Sequence, residues 1–336
     1  MNDWGRSVLT QYELEVTNVR KVRGALLCET TAGPKLLQRY MGSEKRLYAE
    51  AFLLQKLHLQ GMEDIDHYVE NKEGKLFSVN EYQEQYVLKD WFEGEECGIF
   101  DTKRLLTGMS RLAELHQNTC SVASPGDAEA PTWSDFCGNS CMEEMEKHNR
   151  ELRKIYTYMK ERRHKTAFET CVLQSFPETF AQAKQALEGL KDASYNEVYE
   201  DAKRRGSVVH GEYNYHNLIA TKNGIAIVNF SKFGIQAQIV DVYDYLRKIM
   251  EKYGWDVNFG EQLVETYHRR MPLSTEQCRI LGCLLWYPEK YWKQLNFFYN
   301  GSKAWISAKS IEKLSRAVQQ CKEREEFVTR VLGITL

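Results

Sequence analysis

The chain has 336 residues, 43% of them hydrophobic, which is enough for one large domain or two lobes with substantial cores. Lys and Arg number 45 against 47 Asp and Glu, so a formal net charge of -2 supplies no long-range pull toward nucleic acid or anionic lipid. The start "MNDWGRSVLTQYELEV" lacks a basic segment followed by an apolar core, and no apolar run approaches the ~20 residues of a membrane span. The expectation is a protein kept inside the cell that makes it, without a membrane span or a nucleic-acid partner.

From Glu13 to Trp91 the chain reads as a small mixed lobe. "YELEVTNVRKVRGALLCETTAGPKLLQRY" holds short β-rich runs broken at Gly24 and at Ala32-Gly33-Pro34, the pattern of an antiparallel meander. "SEKRLYAEAFLLQKLHLQG" opens on a Ser43 cap, carries Leu47, Phe52, Leu53, Leu54 and Leu57 on one stripe, and stops at Gly61, which predicts an amphipathic helix. "GKLFSV" and "EQYVLKDWF" are two further strand candidates. The order is therefore three strands, one helix, two strands, with the small lobe over 1–92.

The remainder, 93–336, reads as a large and mostly helical lobe. "DTKRLLTGMSRLAELHQNT" has helical spacing, and "SVASPGDAEAP" after it is a polar Pro/Gly loop expected to be mobile. From Trp133 to Leu190 the sequence is charged and helix-prone, with "KERRHK" as a solvated basic helix face. "QIVDVYDYLRKIMEKYGWD" and "WYPEKYWKQLNFFYN" are helical again. In the latter Tyr291, Trp292, Leu295, Phe298 and Tyr299 form a core stripe behind Pro288. Nine cysteines are scattered without histidines at zinc spacing, and free thiols are expected.

Between these helical parts lies "RRGSVVHGEYNYHNLIATKNGIAIVNFSKFG". The runs "NLIAT" and "IAIVNF" flank an Asn223-Gly224 turn, so 208–234 is a hairpin whose edges are "HGEYNYHN" and "VNFSKFG". This layout resembles the active site of the protein-kinase-like fold in its aminoglycoside and choline kinase branch. There the loop runs H-G-D-x-x-x-x-N and the following strand ends in an aspartate before Phe. The resemblance implies an α+β two-lobe fold with a small antiparallel sheet lobe and a large helical lobe.

Phosphoryl transfer needs a cation on the phosphates, metal held by carboxylate and amide oxygens, and an acid that orients the attacking hydroxyl. The resemblance puts the orienting acid at Glu212, longer than aspartate by one methylene. It puts the metal-binding amide at Asn217 and the second metal ligand at Asn229, where a neutral amide replaces a carboxylate. The slot of the phosphate-binding lysine falls on Gln38 or, with a register one residue off, on Arg39. Glu50 is either the acid that pairs with that lysine or a solvent-facing helix residue, and "RKVRGA" is a poor phosphate loop. His210 and His216 read as hydrogen-bonded structural groups, and Asp241 as a support or cap for the loop.

"YVLKDWFEGEE", "RLLTGMSRLAELHQNT", "HGEYNYHN", "DVYDYLRKIMEKYGWD" and "YPEKYWKQLNFFYNGSKAW" together resemble the CotS family of bacterial spore coat proteins. The resemblance runs from about Glu13 to the C-terminus. Its members more typically carry aspartates where this chain has Glu212 and Asn229. It implies a catalytically degenerate pseudokinase working as a structural or binding component of the endospore coat. The alternative is an active ATP-dependent kinase of a sugar, amino sugar or amino-alcohol hydroxyl. The cofactors implied are ATP and Mg²⁺, held weakly if at all. Other coat proteins are the implied partners, with a small molecule or nucleotide in the cleft, and the place is the mother-cell cytoplasm and then the spore coat. Candidate docking surfaces are the "KERRHK" face, the "SVASPGDAEAP" loop and exposed aromatics near Tyr287 and Trp305.

Overall fold

The computed structural model describes residues 4–22, 24–122, 130–299 and 308–334. A short helix, α1 (Trp4–Leu9), precedes β1 (Val16–Val22), β2 (Ala25–Thr30) and β3 (Lys35–Arg39). Then come α2 (Glu44–Leu59), β4 (Tyr68–Val69), β5 (Ser78–Val79) and β6 (Gln85–Asp90). The strands make one antiparallel sheet ordered β1-β2-β3-β6-β4, with β5 also on β6. Val22 pairs with Ala25, and Gly24 just before Ala25 adopts φ +81°, a conformation that costs a side chain.

Alternation gives the sheet two apolar faces. Leu26, Cys28, Leu37, Tyr86 and Leu88 pack under Val8, Leu9 and Tyr12, which explains why an extra N-terminal helix is present. Ala25, Leu27 and Leu36 line the other face with Val22 and Trp91. The "GKLFSV" run keeps only two strand residues. Asn71 Oδ1 accepts from the backbone amides of Glu73 and Lys75, and this local turn takes the preceding residues out of the ladder.

The second lobe opens with β7 (Glu95–Glu96) and α3 (Thr102–Thr119). It continues through α4 (Cys141–Glu161), α5 (Ala167–Asp192) and α6 (Tyr195–Arg205) to β8 (Val208–Val209), β9 (Leu218–Ala220), β10 (Ile225–Ile227) and β11 (Gly234–Ile235). Six helices follow: α7 (Ile239–Tyr253), α8 (Val257–Arg270), α9 (Thr275–Trp286), α10 (Glu289–Tyr299), α11 (Ala308–Gln319) and α12 (Cys321–Leu332). The fold is α+β: a small antiparallel sheet region and a much larger helical one. No helix among the described residues is long and apolar enough to cross a membrane.

Two expectations about surface change, and two others fall on residues not described. "KERRHK" is not one helix face: α4 ends at Glu161, and the capping box of Thr166 and Glu169 starts α5, so the chain turns between them and Arg162 reaches Glu169 at 2.6 Å. Tyr287 is buried, its hydroxyl donating to Asn149 Oδ1 at 2.9 Å, and Trp305 lies outside the described residues. Most of "SVASPGDAEAP" lies outside them too. In α10, Tyr291 and Leu295 are buried in a second cluster with Leu152, Phe168, Phe176 and Leu314.

Candidate functional site

The loop after β8 is held from behind by one carboxylate. Asp241, fully buried at the start of α7, accepts from the backbone amides of His210 at 2.6 Å and Gly211 at 3.0 Å, with His116 Nε2 3.3 Å away. A side chain has no room at Gly211: φ is +77°, and a Cβ would lie 2.1 Å from the Lys232 carbonyl oxygen. Burial lowers the pKa of His210 despite the nearby Asp241. As a neutral imidazole it donates from Nε2 to the Val228 carbonyl at 3.1 Å and accepts the Glu212 amide on Nδ1 at 3.2 Å. Its role is to shape the loop.

This loop and the β9–β10 hairpin bring Glu212, Asn217 and Asn229 to one place. All three line a surface cavity of about 490 Å³ with Lys248 and Glu251, and Glu212 is exposed there. The two amides, however, are tied to each other. Asn229 Nδ2 donates to Asn217 Oδ1 at 3.4 Å, Ser231 Oγ donates to Asn229 Oδ1 at 3.0 Å, and Asn217 Nδ2 donates to the Glu212 carbonyl at 2.9 Å. Asn229 sits at φ +69°, a left-handed position that asparagine tolerates better than most side chains.

Gln38 faces the cleft between sheet and hairpin, on the same side as Leu36, while Arg39 points the other way to Glu84 at 2.9 Å. Glu50 does not face solvent. It is fully buried, and its partner comes from neither β3 candidate: Lys89 of β6 donates to Glu50 Oε1 at 2.7 Å and to Asp66 Oδ2 at 3.0 Å. Leu36 pairs with Lys89 and Gln38 with Val87, so Lys89 stands on the same sheet face as Gln38, one strand over. The cation is thus displaced sideways, and at 1% exposure it does not line the cleft. Burial alone would lower the Lys89 pKa, but Asp66 and Glu50 hold it well above its ordinary value.

Asp66 closes the arrangement. Its Oδ2 also accepts the Asn229 amide at 3.0 Å, whereas its buried Oδ1 has no partner. Burial raises the pKa of Asp66, with Lys89 and the Asn229 amide opposing. Asp66 lines a cleft of about 410 Å³ whose walls, Val22, Ala25, Leu27, Leu36, Ile219 and Val228, suit a flat apolar ring. Arg46 of α2 donates to the Ser231 carbonyl at 2.8 Å and to that of Phe233, locking the helix to the segment after Asn229.

These residues fit a base better than a metal-bound triphosphate. A hard divalent cation asks for carboxylate oxygens. Here the two amide oxygens already accept hydrogen bonds, a neutral Asn229 stands where phosphoryl transfer uses a second carboxylate, and the carboxylates at hand are the exposed Glu212 and an Asp66 whose Oδ2 is shared by Lys89 and the Asn229 amide, so the donor set fits Mg²⁺ poorly.

Sequence reasoning passed over Lys89, Asp66 and His116. Lys89 had a signal: in "YVLKDW" it falls in step with Val87 on an inward face. His116 follows Leu112 and Leu115 on the buried face of α3. Asp66, outside any strand or helix, had none.

A family model described as "Spore coat putative kinase YutH" matches residues 5–331. No curated protein matches the chain. Among solved structures, an aminoglycoside phosphotransferase from Alicyclobacillus acidocaldarius superposes with a TM-score of 0.84 at 15% identity, over 97% of this chain and 94% of that one. A spectinomycin phosphotransferase in an AMP-bound complex gives 0.63 at 11%, over 95% and 98%. A microcompartment-associated aminopropanol kinase gives 0.61 at 14%, over 97% of both chains. At these identities the likeness establishes the phosphotransferase fold alone.

Proposed function

Because the chain belongs to the spore coat family described as "Spore coat putative kinase YutH", we propose that it is a binding component of the endospore coat whose kinase-like cleft no longer transfers phosphate. The observation that carries this reading is the fate of Asn217 and Asn229, whose side-chain oxygens already accept hydrogen bonds, from Asn229 Nδ2 and Ser231 Oγ respectively, where a metal would need them. The withdrawn Lys89 supports it, since this buried cation does not line the cleft. In this reading the protein is made in the mother-cell cytoplasm and joins the coat by contact with other coat proteins. The cleft contributes a folded scaffold and holds ATP with Mg²⁺ weakly.

The test pairs chemistry with place. Purified protein given Mg-ATP should bind it weakly, on the order of millimolar or worse, with little gain from Mg²⁺. A fluorescent fusion should form a shell around the forespore, and Glu212→Gln should leave that shell intact. Tight Mg²⁺-dependent binding, or loss of the shell on Glu212→Gln, sinks the reading.

One observation favours an active small-molecule kinase instead. The Lys89 and Glu50 pair survives, and Asp66 brings a carboxylate to the Asn229 amide, so the charges of a phosphotransferase site are all present, one element away from their expected places. In that case Asp66→Asn would abolish turnover of Mg-ATP.

A further inference from the structure

Sharing Glu251 with the cavity that Glu212 lines, a second cavity of about 540 Å³ lies among α5, α9, α10, α11 and α12. Arg324 of α12 lines it, 8% exposed, between the rings of Trp255 at 5.8 Å and Trp286 at 5.5 Å. Its guanidinium has no salt-bridge partner among the described residues, and its buried Nε has no hydrogen-bond acceptor. Glu251, which lines the same cavity, is held by Arg247 at 3.0 Å and Lys290 at 3.2 Å. An unpaired buried cation is costly, and proteins that keep one ordinarily pair it with a carboxylate or phosphate. Burial lowers the Arg324 pKa, and the neighbouring Cys321 and Glu251 offset that only in part.

We propose that this cavity is a second ligand site, for a small organic monocarboxylate with a flat apolar body, whose carboxylate pairs with Arg324. The guanidinium fork matches a carboxylate in plane, and the flanking indoles with Tyr291 supply a flat apolar enclosure. A polyanion is disfavoured. Glu178 and Glu325 are exposed on the lining, and with Glu251 they outnumber Lys290 and Arg324, so the wall as a whole repels anions and only local pairing with Arg324 holds a single carboxylate. Two polar groups already hold the aromatic panels in place: Trp286 Nε1 donates to Gln185 Oε1 at 3.0 Å, and Gln182 Nε2 to the Trp286 carbonyl at 2.7 Å.

The probe is phenylacetate, with phenylacetamide as its neutral counterpart and inorganic phosphate as an anion without a body. Calorimetry on the full chain should show one phenylacetate site, with the amide weaker by roughly tenfold or more because the fork then meets no charge. Arg324→Met should abolish binding and raise the melting temperature of the unliganded protein, since it removes an unpaired buried charge. Arg324→Lys keeps the charge and loses the fork, so it should bind phenylacetate markedly more weakly while remaining folded. Absence of phenylacetate binding, equal binding of the amide, displacement by phosphate at equal concentration, or unchanged binding in either variant overturns the proposal.

Discussion

Lys89 Nζ lies 2.7 Å from Glu50 Oε1, with both side chains at 1% exposure or less, and Asp66 is the lysine's second carboxylate partner at 3.0 Å. One cation is thus shared by two buried acids, and the pair is a structural support of the small lobe as much as a candidate for chemistry. Lys89→Met should therefore destabilise the fold by about 3–5 kcal/mol in urea titrations, because it strands buried carboxylates. Adding Asp66→Asn should recover part of that loss. A neutral Lys89→Met would contradict the burial argument.

If only the catalytic groups are missing, restoring them together should restore metal-nucleotide binding. Gln38 and Asn229 line one cleft, and Glu212 lines the adjoining cavity with Asn229. The triple change Gln38→Lys, Glu212→Asp and Asn229→Asp should raise Mg-ATP affinity by more than the sum of its parts, since lysine, metal and phosphates act as one unit. Calorimetry of the three single variants and the triple decides it; strict additivity would count against the assignment of Gln38.

The loop's geometry rests on Asp241. Asp241→Asn keeps one acceptor and loses the charge and the other, leaving a backbone amide of His210 or Gly211 underserved. The expected cost is about 1.5–3 kcal/mol, read as a lower melting temperature. The same variant should increase hydrogen exchange at those two amides.

Acid sensitivity should come in part from Glu289 at the start of α10. Burial opposes its ionisation, but His148, at 3.5 Å, and the Lys293 and Arg247 charges outweigh it and hold the carboxyl at about 2, down from 4.5. A carboxyl depressed on folding stabilises the protein above its unfolded pKa and loses that contribution as pH falls from about 4.5 toward 2. Glu289→Gln should cost about 3 kcal/mol at pH 7, and the variant should show a flatter stability profile through the acid window.

The β1–β2–β3 meander, α2, the hairpin and the stripe in α10 were legible in the sequence because each depends on local periodicity and on turn chemistry at Gly24, Ser43 and Asn223-Gly224, whereas α1 and the two-residue β4 were not expected. The same hairpin spacing puts Glu212, Asn217 and Asn229 around one cavity. Two local readings failed for local reasons: competing side-chain turns cut "GKLFSV" short, and a capping box broke "KERRHK".

What only the tertiary structure decided is which groups meet. Lys89, Glu50 and Asp66 come from a strand, a helix and a loop that are far apart in sequence, and only the β3–β6 register and the packing of α2 make them one cluster. Arg324 reads in sequence as one more charge in "CKEREEF", and becomes an unpaired cation only where α12 meets Trp255 and Trp286. Periodicity reports which face of an element is buried, but the energy of a buried charge depends on its nearest partner, and that distance is set by how the elements pack.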